Sequence, residues 1–321
     1  MVKIRLIAYP TEIWRSRDFG FFNRVDSLPT LGDAGKARMV PRLSCPPLEF
    51  HRKHRSFASG DVPYSTGIAN AHAWRTTVVS RRTNTPKYDA KAKVDAFDWP
   101  EIIRSLDADG TAVLPRLLEP GQCARLAAGY SKDDLYRSRI VMARHGFGRG
   151  EYKYYRYPLP ELLQNLREAL YARLAPIANR WHKEMGIDVR YPSVHADFIR
   201  GCHRAGQKRP TPLILQYFEG DYNCLHQDLY GAHVFPLQAT ILLSKPGTDF
   251  EGGEFVVTDA GAREKRADVV QLTQGDAVIL AVNQRPVTGS RGPVKTAMRH
   301  GVSRVRRGLR HTVGIIFHDA K

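Results

Sequence analysis

The chain has 321 residues, 42% hydrophobic and 25% charged, with a net charge of +17, so it can bury one sizeable core and carry an appendage while attracting polyanions. No apolar run approaches the ~18 residues that cross a bilayer, and the basic start MVKIRLIAYPTEIWRSRDFG soon meets Glu12 and Asp18, so neither a membrane span nor a signal peptide is expected. Cys45, Cys123, Cys202 and Cys224 never form a C-x-x-C pair, which argues against a disulfide frame or zinc knuckle and for reduced thiols in the cytoplasm.

Residues 1–92 show no sustained periodicity and are broken by Pro, Gly, Ser and Thr, so a basic extension of low order is expected there. Residues 1–94 hold 17 Lys and Arg against 7 Asp and Glu, whereas 95–321 hold 32 against 25. Much of the basic excess is therefore a property of the extension. It reads as a solvated tail or, alternatively, as an arm that binds nucleic acid.

A domain is predicted over residues 93–321, with helical support over 93–190 and a β-rich core over 191–321. Asp98 can cap a helix that has Pro100 in its first turn, Glu101 three residues on and a stop at Gly110. A short helix follows around Pro120–Gly129. The strongest helical pattern spans Pro160–Lys183, where Leu163, Leu166, Leu170, Leu174, Ile177 and Trp181 recur every three or four residues. Pro176 predicts a kink or split near its end.

From residue 211 the pattern changes to short runs of Val, Ile, Leu and Phe, separated by Gly, Pro, Asn and Asp. Strands are predicted at Pro212–Phe218, Phe235–Ser244, Gly253–Thr258, Val269–Leu272, Ala277–Val282, Ala297–Val305 and Arg310–Phe317. Helices first and many short strands afterwards give an α+β class, a two-sheet jelly roll braced by the N-terminal helices.

One motif carries chemistry. In LQYFEGDYNCLHQDLYG, a turn at Gly220-Asp221 is followed by a segment read as a strand, on which His226 and Asp228 would point to one side and Gln227 to the other. His300, near the last two strands, is the candidate third ligand. Two histidines and one carboxylate on a β scaffold are the facial ligand set of a non-haem Fe(II) site, with three positions left open. His233, His311 and His318 compete for the ligand role. Arg310, at the start of a strand, can grip a carboxylate by two parallel hydrogen bonds, and burial would be costly for it without an anion. Arg304, Arg306 and Arg307 are nearby alternatives, read as exposed turn charges.

With these residues the chain resembles the 2-oxoglutarate/Fe(II)-dependent dioxygenase superfamily, and within it a bacterial family described as oxygenases acting oxidatively on methylated, damaged DNA. The resemblance covers roughly Val94–Ala320. It rests on stretches such as GEYKYYRYPLP, RPTPLILQYFEGDYNCLHQDLYG, FPLQATILLSKPGTDFEGGEF and RHGVSRVRRGLRHTVGIIFHDA. It implies a double-stranded β-helix, iron held by His226, Asp228 and His300, and the far carboxylate of 2-oxoglutarate held by Arg310 with Tyr217 as a further partner. It also implies O2 as co-substrate and oxidative demethylation of N-methylated bases in DNA or RNA. The segment Asp259–Ala267 departs from the family pattern.

Tyr222 and Tyr230 flank the motif, and Tyr152, Tyr154, Tyr155 and Tyr157 lie among Lys153 and Arg156, an interleaving suited to a nucleic-acid groove and equally to ordinary packing. The alternatives are a hydroxylase of protein (prolyl-type) or amino-acid side chains and, in another class, a non-catalytic metal-binding β-barrel or a zinc hydrolase. No membrane and no obligate protein partner are expected.

Overall fold

The computed structural model describes residues 88–229, 231–259 and 266–321, all within one compact unit, Ser80–Lys321. The expected basic extension falls almost wholly outside the described residues, as do Tyr230 and most of Asp259–Ala267. The first helix, α1 (Ala90–Asp95), begins just before residue 93.

Helix α2 (Trp99–Asp109) follows the capping signals closely. The Asp98 side chain accepts from the Glu101 N–H, Pro100 sits in the first turn, and Gly110 closes the helix at φ 72°. Strand β1 (Thr111–Leu114) and helix α3 (Pro120–Ala128) come next. Helix α4 (Glu161–Glu184) matches the predicted stripe, and the expected split at Pro176 is absent. Proline removes one backbone donor there, but Leu174, Ile177, Ala178 and Trp181 on both sides of it are buried in one apolar cluster. That packing holds the two halves in register.

The division into a helical half and a β half needs two corrections. Residues 93–190 also contain β1, β2 (Tyr136–Val141), β3 (Gly148–Arg149) and β4 (Glu151–Tyr155). The run YRSRIV alternates charged with apolar residues and sits at a sheet edge, so it lacks the hydrophobic density of a central strand. Conversely, helix α5 (His195–Arg204) lies inside the expected β core. Its buried positions are His195, Phe198 and Cys202, a helical spacing in which only phenylalanine announces itself as apolar.

The remaining strands are β5 (Leu213–Tyr217), β6 (Tyr222–His226), β7 (Leu237–Leu242), β8 (Phe250–Gly252), β9 (Phe255–Asp259), β10 (Arg266–Val270), β11 (Ala277–Ala281), β12 (Gln284–Gly289), β13 (Gly292–Val302), β14 (Val305–Gly308) and β15 (Arg310–Ile316). A seven-stranded sheet runs β1-β11-β7-β15-β5-β4-β2. A second sheet runs β10-β9-β13-β6-β3 with β12 also on β13, and β14 pairs with β8. The ladders are antiparallel.

The faces of the large sheet have different jobs. Ile214, Ala239, Ile241, Val313 and Ile315 join the α4 stripe in the main apolar core. The other face supplies Tyr217 and Leu242 to a second cluster with Val302, Phe250 and Val305, which fills the space between the sheets. Strands β7, β11 and β15 are buried on both faces, yet only β11 reads as a continuous apolar run. Polar residues within such strands are the exceptions to explain. The described residues include no helix long and apolar enough to cross a membrane.

Candidate metal centre and anion pocket

The backbone register brings the predicted ligands together. His300, on β13, is the cross-strand partner of His226 on β6, with a bulge one step further on. The His226 and His300 rings lie 4.3 Å apart between centroids. Asp228 reaches both: its Oδ1 is 3.5 Å from His226 Nε2 and its Oδ2 is 3.4 Å from His300 Nε2. One ligand atom from each residue lies within 4.8 Å of the others, and this is the metal-ligating cluster found among the described residues.

One detail differs from expectation. Strand β6 ends at His226, so Asp228 stands beyond it rather than on it. Gln227 between them donates through Nε2 to the carbonyls of Asn283 (3.0 Å) and Met298 (2.8 Å). That clamp, rather than strand alternation, turns the next side chain toward the histidines.

Electrostatics prepare the trio for a cation. Burial opposes charge on Asp228, but His226 and His300 outweigh it and hold the carboxyl well below its ordinary range. Burial also opposes charge on His226, and there Asp228 wins, so its pKa rises. His300 is pushed down by burial and by His226. The His226 Nδ1 faces the Cys224 carbonyl at 2.8 Å, which leaves Nε2 for an ion. His300 is stacked on Phe255 at 5.8 Å, and the Gln238 amide lies 3.3 Å from its Nε2. A carboxylate and two imidazoles converging on one point form a donor set that suits a divalent metal.

The second half of the site stands on the large sheet. Arg310 pairs across the ladder with Tyr217. It is 1% exposed, and its Nε and Nη1 have no hydrogen-bond partner. Its guanidinium lies 5.5 Å from the Tyr217 ring centroid and 5.7 Å from that of Phe250. Burial lowers its pKa to about 10, with Tyr217 and Glu254 opposing the shift. Tyr217 is fully buried, with the Asn223 side chain as the polar neighbour of its hydroxyl. Arg310 lines a cavity of about 240 Å³ together with Leu242, Phe250, Gly253, Glu254 and Phe255. A buried guanidinium with free donors at a cavity wall is a seat for an anion.

Gly253 makes that seat possible. Its φ is +61°, and an added Cβ would stand 2.8 Å from Arg310 Cδ and 2.9 Å from Val305 Cγ2. Gly253→Ala is expected to lower stability by about 1–3 kcal/mol, read as a shifted urea midpoint at constant m value.

The competing residues have other employment. The His311 ring meets the Gln216 amide at 2.9 Å and packs on Tyr130. His318 Nδ1 accepts from the Phe235 N–H at 3.2 Å. His233 is tied through its backbone N–H to Gln207. Arg304, Arg306 and Arg307 are exposed: Arg304 lies over Tyr222, Arg306 pairs with Glu254 and Arg307 with Glu251. Gln238, Phe255 and Glu254 were not foreseen as parts of the site. The one signal for them was the Gly252-Gly253 pair, which marks a close backbone approach just before Glu254 and Phe255.

Residues 150–320 match a family described as "Oxygenase, catalysing oxidative methylation of damaged DNA". Uncharacterized proteins from two strains of Mycobacterium tuberculosis are each 44% identical over 164 residues, 51% of this chain and 70% of the relative. Among solved structures, a Pseudomonas putida prolyl-4-hydroxylase aligns at a TM-score of 0.41 and 14% identity, covering 70% of this chain and 99% of that one. A Trichoplax adhaerens prolyl hydroxylase in complex with a hypoxia inducible factor peptide fragment aligns at 0.47 and 10% identity, covering 70% and 90%. The match contains the H-x-D segment, His300 and Arg310, and the chain belongs to this oxygenase family.

Proposed function

We propose that His226, Asp228 and His300 hold the iron, that Arg310 with Tyr217 holds the far carboxylate of 2-oxoglutarate, and that the enzyme demethylates N-methylated bases of nucleic acid. The two facing sheets would then be the halves of a double-stranded β-helix. The observation that carries the reading is the pairing of a converged His/Asp/His trio with a buried guanidinium whose donors are unused. The metal centre with 2-oxoglutarate supplies the oxidation: one oxygen atom of O2 enters succinate as CO2 leaves, and the other enters a substrate C–H bond.

The chain's own residues do the rest. Asp228 and the two imidazoles would hold the ion through three protein donors and leave its other positions to the reactants. Arg310 fixes the remote carboxylate by charge-assisted hydrogen bonds, which sets the reach of the co-substrate toward the metal. On an N-methyl group the product is a hydroxymethyl, whose C–N bond breaks to release formaldehyde as the ring nitrogen is restored. Residues 95–321 keep 32 Lys and Arg against 25 Asp and Glu, a basic balance that suits a polyanionic substrate.

The test is anaerobic reconstitution with Fe(II) and 2-oxoglutarate, then O2 with a panel of N-methylated oligonucleotides and proline-containing peptides. Formaldehyde in step with succinate is expected from the oligonucleotides. Hydroxylated peptide without formaldehyde would transfer the activity to a protein substrate. Zinc retained without affinity for 2-oxoglutarate would defeat the oxygenase assignment of these residues.

A further inference from the structure

The stretch GEYKYYRYP carries four tyrosines, and the fold commits three of them. Tyr155 is buried in the main core with its ring 4.9 Å from Tyr136. Tyr154 is buried with the Arg137 guanidinium 4.3 Å over its ring. The Tyr157 hydroxyl bonds to Asp319 at 3.0 Å and accepts from Arg167 at 3.1 Å. Tyr152 is left, half-buried, meeting Tyr154 edge-on at 5.4 Å.

Register decides where Tyr152 points. On β4 it stands opposite Leu215 of β5, while Tyr217, two residues along on the same face of β5, stands opposite Arg310 of β15. On its other flank Tyr152 faces Ile140 of β2. It packs against the inter-sheet cluster that holds Tyr217, Met142 and Leu242. Tyr152 therefore lies on the inner face with Tyr217 and Arg310, between the anion seat and the sheet edge. Burial, then Tyr154, raises its phenol pKa, with Asp228 and Tyr217 acting in the same direction.

We propose that Tyr152 is a positioning residue, the wall against which the primary substrate lies beside the metal, and that it receives a flat ring. Arg310 and Tyr217 stand on the inner strands one rung along, and Tyr152 stands on β4 toward the sheet edge, between apolar Ile140 of β2 and Leu215 of β5. A phenol ring with apolar flanks stacks on planar heterocycles, and the positive charge of an N-methylated base adds a cation–π attraction. This inference rests on the metal site proposed above; the test below separates the two.

Protein labelled with 3-fluorotyrosine and loaded with 2-oxoglutarate is compared as the Mn(II) and Zn(II) forms, the line absent in Tyr152→Phe being that of residue 152. Mn(II) is expected to broaden this line. A single-stranded oligodeoxynucleotide carrying 1-methyladenine, or free N-methylindole, is expected to shift it in the Zn(II) form. In turnover, Tyr152→Ala should raise the KM for that oligonucleotide about tenfold or more, with 2-oxoglutarate affinity moved less than twofold and Tyr152→Phe restoring most of the loss. A line untouched by Mn(II), a line shifted by neither probe, or an unchanged KM in Tyr152→Ala overturns the proposal. Broadening by Mn(II) with a shift from N-methylindole alone, and no turnover of the oligonucleotide, keeps Tyr152 as the wall and removes nucleic acid as the substrate.

Discussion

Replacing Arg310 by methionine should leave the chain folded and weaken 2-oxoglutarate binding by two to three orders of magnitude. A charge-assisted hydrogen bond to a carboxylate contributes about 1.5–3 kcal/mol, and at the lower part of that range losing two costs about 3–4 kcal/mol, which is two to three factors of ten. Stability moves the other way. The guanidinium is buried with free donors and no ion-pair partner, and methionine fills comparable space without a desolvation penalty. Unfolding by urea should therefore show Arg310→Met equal to or more stable than wild type without ligand. Saturating 2-oxoglutarate should raise the wild-type midpoint only. Lysine at this position keeps the charge but not the forked geometry, and an intermediate affinity is expected. A methionine variant that still binds 2-oxoglutarate like wild type would show that the co-substrate sits elsewhere.

Asp228→Ala and His300→Ala should each reduce bound iron to less than about a tenth of the wild-type amount after desalting, and oxidative turnover with it. Each removes one of three donors, and a two-donor site competes poorly with water for a divalent ion. The variants differ without metal. In Asp228→Ala the His226 imidazole loses the carboxylate that raises its pKa, so that pKa should fall, visible by NMR titration. In His300→Ala the carboxylate keeps His226, and the raised pKa should persist. Full iron content in either variant would dismiss these residues as ligands.

The donor set was legible because its spacing and residue types are constrained by chemistry: H-x-D before a strand-rich stretch, a late histidine, and an arginine ten residues after it. The helix ends at Asp98 and Gly110 were legible for a similar reason, since capping is local. Long-range register was not. Nothing near His300 states that β13 lies between β6 and β9, yet that order sets it opposite His226 on one side and Val257 on the other. The stacking of Phe255 on His300 follows from the same order, and the approach of Gln238, on β7 of the other sheet, from the facing of the two sheets, so both were hidden. Helix α5 escaped because histidine and cysteine occupy two of its three buried positions. Tyr152 is a case of the same kind: four tyrosines in one stretch look alike until pairing with β5 sets Tyr152 opposite Leu215 and Tyr154 opposite Leu213.

His226 sits on the last rung of a ladder and Asp228 hangs two residues past it, steadied by the amide of Gln227. The imidazoles are thus mounted on a frame, and the carboxylate on a bracket. Gln227 touches no ion, yet shortening it by one carbon would loosen the bracket while leaving every donor in place. An enzyme built so can have its grip on metal adjusted from the far side of the strand, without altering any group that grips.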